Sequence, residues 1–336
     1  MKPLASLSLD LDNKWSYMKT HGDAGWESFP SYLDRLVPRV LDFLEKRGLK
    51  ITFFVVGQDA ALDKNRESLA ALHSSGHEIG NHSFNHEPWL HLYTAQEIED
   101  ELKRAEDAIF AATGTEQIKG FRGPGFSLSQ TVLETLARRG YDYDCSTFPT
   151  YLAPLARAFY FMTAPKMSAE EKAKRKQLFG KFSDGFQPLK PYVWQLENRN
   201  LVEIPVTTFP LLKTPIHASY ILYLSSFSTF AARQYFDKAI KISKKFGYEP
   251  SILLHPLDFL SAEDAPELRF FPAMNLPLER KLETMGEIFD CLEQNFRIVN
   301  MSEHARNIRQ NKPLAVRSSF ERNEMSFVRE SHDARV

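Results

Sequence analysis

The chain has 336 residues, 43% of them hydrophobic, and a formal net charge of -1. That is enough apolar sequence for one large barrel-like domain or two ordinary ones, and the balanced charge carries no polyanion-binding signature, so nucleic acid is not an expected partner. The two cysteines, Cys145 and Cys291, form no disulfide framework; no apolar run approaches a membrane span, and residues 1–7 are too short for a leader h-region before Asp10, which predicts a cytoplasmic protein.

The elements alternate along the chain. Ala5-Ser6-Leu7-Ser8-Leu9 reads as a short strand over 4–9, ending in Asp10-Leu11-Asp12. Asp is a poor strand former, so this pair needs a reason. On a strand the two share a face, and two close carboxylates repel unless a cation or proton lies between them; an Asx-type turn ending the strand is the alternative. Residues 13–28 then read as a loop rich in aromatics, with Trp15, Tyr17 and Trp26. It is expected to be a glycan-contacting wall through Trp15 or a packed lid without a ligand role.

Leu33, Leu36, Val40 and Leu44 recur at helical spacing within 30–47, and Ile51 to Val56 is a buried, β-branched strand. Helical patterns follow near 64–75, 94–112 and 129–139, with short strands near 77–80 and 118–121. Beyond 200, helices are expected at 228–246 and 277–294 and strands at 251–255 and 297–300. Strands alternating with helices imply an α/β fold with a mostly parallel sheet.

Four segments carry chemistry. In Gly80-Asn81-His82-Ser83-Phe84-Asn85-His86 the two histidines lie four residues apart, on one helical turn or converging from a tight loop. With a carboxylate from Asp10-Leu11-Asp12 they make a three-ligand site of hydrolytic type. In Phe121-Arg122-Gly123-Pro124-Gly125-Phe126 the Gly-Pro-Gly core forces a turn, preceded by an Arg able to grip a carboxylate in a fork. Ser251-Ile252-Leu253-Leu254-His255-Pro256 delivers His255 from a buried strand that Pro256 stops.

These blocks, in this order, resemble the polysaccharide deacetylases, the NodB-homology group. The likeness covers roughly residues 4–150 well and 200–308 less well. It implies a distorted, seven-stranded (β/α) barrel over 1–308. It also implies roles: Asp12, His82 and His86 hold a divalent metal, and Asp10 is the general base for the attacking water. Arg122 holds and tunes Asp10, and His255 is the general acid for the leaving amine. Asp144, in Tyr141-Asp142-Tyr143-Asp144-Cys145-Ser146, orients a catalytic His or pairs with Arg122, with Asp142 competing for that part. Many members have two adjacent aspartates in the first motif; here Leu11 separates them, as in the branch of intracellular and peptidoglycan deacetylase-like proteins and allantoinase-like amidohydrolases.

The chemistry follows from the residues. An amide is a poor electrophile and an amine a poor leaving group, so a Lewis-acidic ion, a carboxylate base and a protonated imidazole divide the work. A backbone N–H in the Gly125-Phe126 turn is the expected help for the oxyanion. Zinc suits two His and one Asp, with Co, Ni, Mn or Fe as alternatives. The expected function is removal of an N-acyl group, acetyl or formyl, from an amino-sugar substrate, a precursor or lipid-linked saccharide over a finished polymer. A ureide or cyclic-amide hydrolase of the same fold and an inactive carbohydrate-binding barrel are the alternatives.

Two segments stand apart. Residues 150–200 read as a helical insertion with an aromatic stretch, Ala158 to Met162, and a basic run through Lys172, Lys174, Arg175, Lys176 and Lys181; Ser168 to Glu171 fits a capping box. It is either a peripheral insertion with a solvated face or a cap touching an anionic membrane surface. Residues 309–336 read as a flexible polar tail. His217 is a further candidate on which nothing is staked.

Overall fold

The computed structural model describes residues 2–163, 175, 180–311 and 313–318. Its strands are β1 (Leu4–Asp10), β2 (Thr52–Val55), β3 (Glu78–Asn81), β4 (Gly120–Phe121), β5 (Tyr143–Asp144), β6 (Tyr192–Trp194), β7 (Leu201–Glu203), β8 (Ser251–Leu254), β9 (Arg297–Val299) and β10 (Ala315–Arg317). The helices are α1 (Lys14–His21), α2 (Leu33–Glu45), α3 (Gly57–Ala60), α4 (Arg66–Ser74), α5 (Ala95–Thr113), α6 (Gln130–Arg139) and α7 (Ala153–Thr163). They continue as α8 (Ala218–Phe227), α9 (Thr229–Lys245), α10 (Leu278–Asn295) and α11 (Met301–Asn311).

Seven strands, in the order β8-β1-β2-β3-β4-β5-β7, run parallel. The curled sheet is drawn together beyond β7, where the Thr207 N–H donates to the Ser251 carbonyl at 2.9 Å. The Ser251 N–H returns to Thr207 Oγ1 at 2.8 Å. This is the expected distorted (β/α) barrel. Three short strands extend it: β9 beside the start of β1, β6 antiparallel to β7, and β10 parallel to β6.

Strand β1 is buried throughout and shows how the two faces divide. Ala5, Leu7 and Leu9 join the core between sheet and helices, with Leu36, Val40 and Leu44 of α2 and Ile240 of α9. Ser6 and Ser8 alternate with them; their hydroxyls meet His304 Nδ1 at 2.8 Å and Arg122 Nη1 at 2.9 Å. A second cluster packs Phe54, Tyr143 and Ile204 against Met301, Ala305 and Ile308 of α11. Glycines in β3 and β4 make room for two of these rings. A Cβ on Gly80 would lie 2.5 Å from the Phe54 ring, and one on Gly120 would lie 2.0 Å from that of Tyr143.

The structure differs from the sequence reading in four places. Residues 13–28 are not a loop: Asn13 accepts the Lys14 N–H at 2.8 Å and starts helix α1. Helix α8, apolar on most of its faces, was not expected, because its sequence lacks amphipathic spacing. The insertion stops short of residue 192, where β6 joins the main sheet. Of the expected tail, α11 runs to Asn311 and β10 pairs with β6. The capping box at 168–171, the basic positions 172, 174 and 176, and residues 319–336 lie outside the described residues.

Candidate metal centre and catalytic residues

Parallel register brings the chemistry to one end of the barrel. Leu9 pairs with Leu254, which puts Asp10 and His255 on neighbouring strand ends. Asn81 pairs with Phe121, so His82 and Arg122 leave adjacent strands at the same level. All lie at or just past C-terminal strand ends, where such barrels carry their sites.

The two histidines converge from a tight loop, not from a helical turn. Ser83 donates its N–H to Asn81 Oδ1 at 2.8 Å, and His86 donates its own to Ser83 Oγ at 3.2 Å. Ser83 and His86 adopt left-handed backbone, φ 61° and 53°. Such strain costs on the order of 1–3 kcal/mol per residue and persists only where the surroundings over-determine it. Here they do. Buried Glu101 of α5 accepts the N–H groups of Phe84 and Asn85 at 3.0 and 2.9 Å, and the Gly57 and Gln58 N–H groups bond the Ser83 and Phe84 carbonyls. Glu101 was missed from sequence because a lone Glu on an amphipathic helix reads as surface.

Asp12 Oδ1 lies 2.9 Å from His86 Nε2 and 3.3 Å from His82 Nε2. Among the described residues these three alone form a cluster of potential metal ligands, their donor atoms within 4.8 Å of one another. His82 Nδ1 is 2.6 Å from the Arg122 carbonyl. A carbonyl only accepts, so Nδ1 carries the hydrogen and Nε2 presents a lone pair. Asp12 Oδ1 and both ring nitrogens of His86 are buried without a hydrogen-bond partner, which is costly unless something else satisfies them. Burial pushes the Asp12 carboxyl up, but His86 and His82 pull it well below its ordinary value. Two imidazole nitrogens and a carboxylate oxygen, so arranged, fit a divalent cation.

Asp10 is gripped by Arg122 Nη1 at 2.7 Å. Arg122 is fully buried, with its Nε donating to the Cys145 carbonyl at 3.0 Å and its guanidinium 4.6 Å from the Phe54 ring centre. Burial opposes its charge, yet Asp10 outweighs this and its pKa stays above the ordinary value. The sequence showed the Arg but not Ser8 or the Cys145 carbonyl, which complete its seat.

His255 Nδ1 lies 3.0 Å from Ser219 Oγ, and its ring is 5.8 Å from that of His217. Burial, helped by His255, pushes His217 down to about 3, so it stands as a neutral ring. It continues a wall in which Phe148 sits 5.8 Å from His217 and stacks on Phe126 at 4.8 Å. Phe126 holds its ring there from left-handed backbone, φ 63°, beside Gly125 at φ 57°.

Three expectations change. Trp15 is no sugar platform: it is 1% exposed, and its Nε1 donates to Asp59 Oδ1 at 2.9 Å. The Phe126 N–H is committed to the Gly123 carbonyl at 2.9 Å, which removes it as an oxyanion donor. Asp144 orients neither a histidine nor Arg122. It accepts the N–H and hydroxyl of Ser146 at 2.9 and 2.7 Å and lies against Glu203. Burial raises both carboxyls, and Asp144 pushes Glu203 further up. Asp142, its competitor, pairs with Arg199 at 2.8 Å on the outside.

Residues 22–143 match the family model for polysaccharide deacetylases. Over that stretch the chain is similar to the polysaccharide deacetylases. The match contains His82, His86 and Arg122; Asp10, Asp12 and His255 lie outside it, and the fold brings them to it. The peptidoglycan-N-acetylmuramic acid deacetylase of Bacillus subtilis is 36% identical over 110 residues, 33% of this chain and 41% of its own length. The peptidoglycan deacetylase of Helicobacter pylori is 27% identical over 158 residues, 45% of this chain and 52% of its own. A chitooligosaccharide deacetylase from a Bradyrhizobium species is 34% identical over 103 residues, 31% and 46% of the two chains. The chain thus spans about half or less of these relatives. A solved Mycobacterium smegmatis structure assigned to the polysaccharide deacetylases shares the fold, with a TM-score of 0.63, 18% identity and 96% of each chain covered.

Proposed function

We propose that this chain is a divalent-metal-dependent hydrolase that removes an acetyl or formyl group from the nitrogen of an amino-sugar unit. One observation carries the reading. The converging ligand atoms of Asp12, His82 and His86 lie beside a carboxylate held by a buried Arg, with a histidine on the neighbouring strand end. A carbohydrate-binding barrel has no use for that combination. The names of the peptidoglycan and chitooligosaccharide relatives support a saccharide substrate.

Asp12, His82 and His86 hold the ion, which we take to be zinc from its mixed nitrogen and oxygen donors. Once bound, the ion supplies Lewis acidity to the acyl carbonyl and the attacking water. Asp10 takes the proton from that water as its oxygen bonds to the acyl carbon. Arg122 keeps Asp10 aimed. As the C–N bond breaks, His255 gives a proton to the departing nitrogen, leaving a free amine and acetate or formate. The Phe126–Phe148 stack offers an apolar face to the sugar ring.

We infer a cytoplasmic setting, supported by two unpaired thiols, Cys145 and Cys291, and a precursor or lipid-linked saccharide. Peripheral membrane contact through 150–200 is supported by exposed Leu155, Phe161, Met162, Phe182 and Phe186. Arg175, expected on the basic face, is instead buried with its guanidinium 5.6 Å from the Trp89 ring centre. No described helix is long and apolar enough to cross a membrane.

The test pairs elemental mass spectrometry with product analysis. About one divalent ion per wild-type chain, little in His86→Ala, and acetate or formate released from N-acyl amino sugars is the expected result. Ammonia or urea from ureides would redirect the substrate class. No ion in wild type after incubation with zinc, cobalt or nickel would overturn the reading.

A further inference from the structure

His255 is held by a second residue chain that none of the sequence motifs contains. Its Nδ1 is 3.0 Å from Ser219 Oγ, and that hydroxyl is 2.6 Å from Asp258 Oδ1. A serine hydroxyl has one proton to give. Asp258 takes it, so the oxygen's lone pair faces the ring and Nδ1 must carry a hydrogen. Nε2 is then the nitrogen that gains and loses the proton. The other oxygen of Asp258 accepts the His255 backbone N–H at 2.7 Å. One carboxylate thereby grips both the main chain and, through Ser219, the ring. The turn is fixed from below: Lys281 of α10, itself buried, donates to the carbonyls of Leu257 and Leu260 at 2.9 and 2.6 Å.

We propose that Ser219 and Asp258 are positioning residues for His255, locking the tautomer that offers Nε2 to the leaving nitrogen and stabilising the ring once it is protonated. Ser219 comes from the first turn of α8 and Asp258 from the turn after β8, so the fold assembles the relay from two separate segments. The groups around it are few. His217, preceding α8, faces His255 and stays neutral; Lys281 from α10 and Tyr17 from α1 face Asp258. Burial pushes the Asp258 carboxyl up, while His255, the Ser219 hydroxyl and Lys281 pull it back down. The catalytic arm of the test rests on the hydrolase reading; the spectroscopic arm does not.

The experiment compares metal-loaded, full-length wild type, Ser219→Ala, Ser219→Thr and Asp258→Asn. Nitrogen NMR follows the titration and tautomer of His255, and kinetics on an N-acetylglucosamine oligomer follow kcat and KM against pH. Ser219→Ala and Asp258→Asn should lower the His255 midpoint by about one pH unit. They should move the alkaline limb of kcat down equally and cut kcat about tenfold or more, with KM within about twofold. Ser219→Thr, which keeps the hydroxyl, should restore tautomer, midpoint and rate. A folded Ser219→Ala protein with wild-type tautomer and midpoint would overturn the relay. If wild type turns over no N-acyl sugar, the hydrolase reading fails while the NMR comparison still decides the relay.

Discussion

Replacing Arg122 with Met removes a buried cation and strands the Asp10 carboxylate. Arg122 has no exposed surface, Asp10 has 5%, and their contact is 2.7 Å. Deleting one partner of such a pair costs about 3–5 kcal/mol, because the remaining charge stays buried and unpaired. The lost bonds to Ser8 and to the Cys145 carbonyl contribute about 1 kcal/mol each. The expected loss is therefore about 5 kcal/mol, a large fraction of the roughly 5–15 kcal/mol available to a domain. The assay is urea unfolding by circular dichroism in chelator, so that metal binding adds nothing to the native state. Asp10→Asn with Arg122→Met removes the stranded charge as well. The double variant should be more stable than the sum of the single effects by about 2–3 kcal/mol. A loss below about 1 kcal/mol for Arg122→Met, or strict additivity in the double variant, would refute the view that Arg122 exists to hold the buried Asp10 side chain.

Two further substitutions test the packing around the site. Trp15→Phe keeps the ring that meets Phe29 edge-on but removes the Nε1–H bond to Asp59; it should cost about 1–2 kcal/mol of stability and leave KM for an N-acyl sugar unchanged, whereas a raised KM with intact stability would restore Trp15 as a sugar contact. Lys281 is pushed by burial, against the pull of Asp258 and Asp264, down to about 8. Its folded pKa lies below the unfolded value, so the unfolded chain holds the extra proton above pH 8 and the Lys281 contribution to stability grows with pH. The stability difference between wild type and Lys281→Met should therefore rise by about 2 kcal/mol between pH 8 and 9.5; a flat difference would place the ammonium's pKa near its ordinary value.

The barrel was legible because its signals are periodic. Buried β-branched runs and amphipathic helices such as Leu33–Glu45 sit within a few residues of where their patterns place them. The strands at Tyr143–Asp144 and Tyr192–Trp194 are two or three residues long and carry no alternation to read. Helix α8 hides for the opposite reason, being apolar on nearly all sides. The cluster of Asp12, His82 and His86 was legible because each residue sits in a local motif. What sequence could not show is which buried polar groups answer each other across long separations. Ser8 meets Arg122 114 residues away, and Asp59 meets Trp15 44 residues away. Trp15 illustrates the cost: next to an aspartate ligand it reads as a platform, and only Asp59, on another helix, shows that its polar edge is already used.

The same reasoning explains why the acid end of the site was harder to read than the metal end. The family resemblance offered Asp144 as the aspartate that orients a catalytic His or pairs with Arg122. Yet Asp144 is occupied elsewhere: it accepts the N–H and hydroxyl of Ser146 and lies against Glu203. The turn after β8 and the helix beside it supply the partners that His255 has. Asp258 is three residues along the chain from His255, within the same short turn, and Ser219 reaches them because α8 packs against β8. The search for a histidine's orienting group therefore belongs on its own strand's exit turn and on the helix beside it.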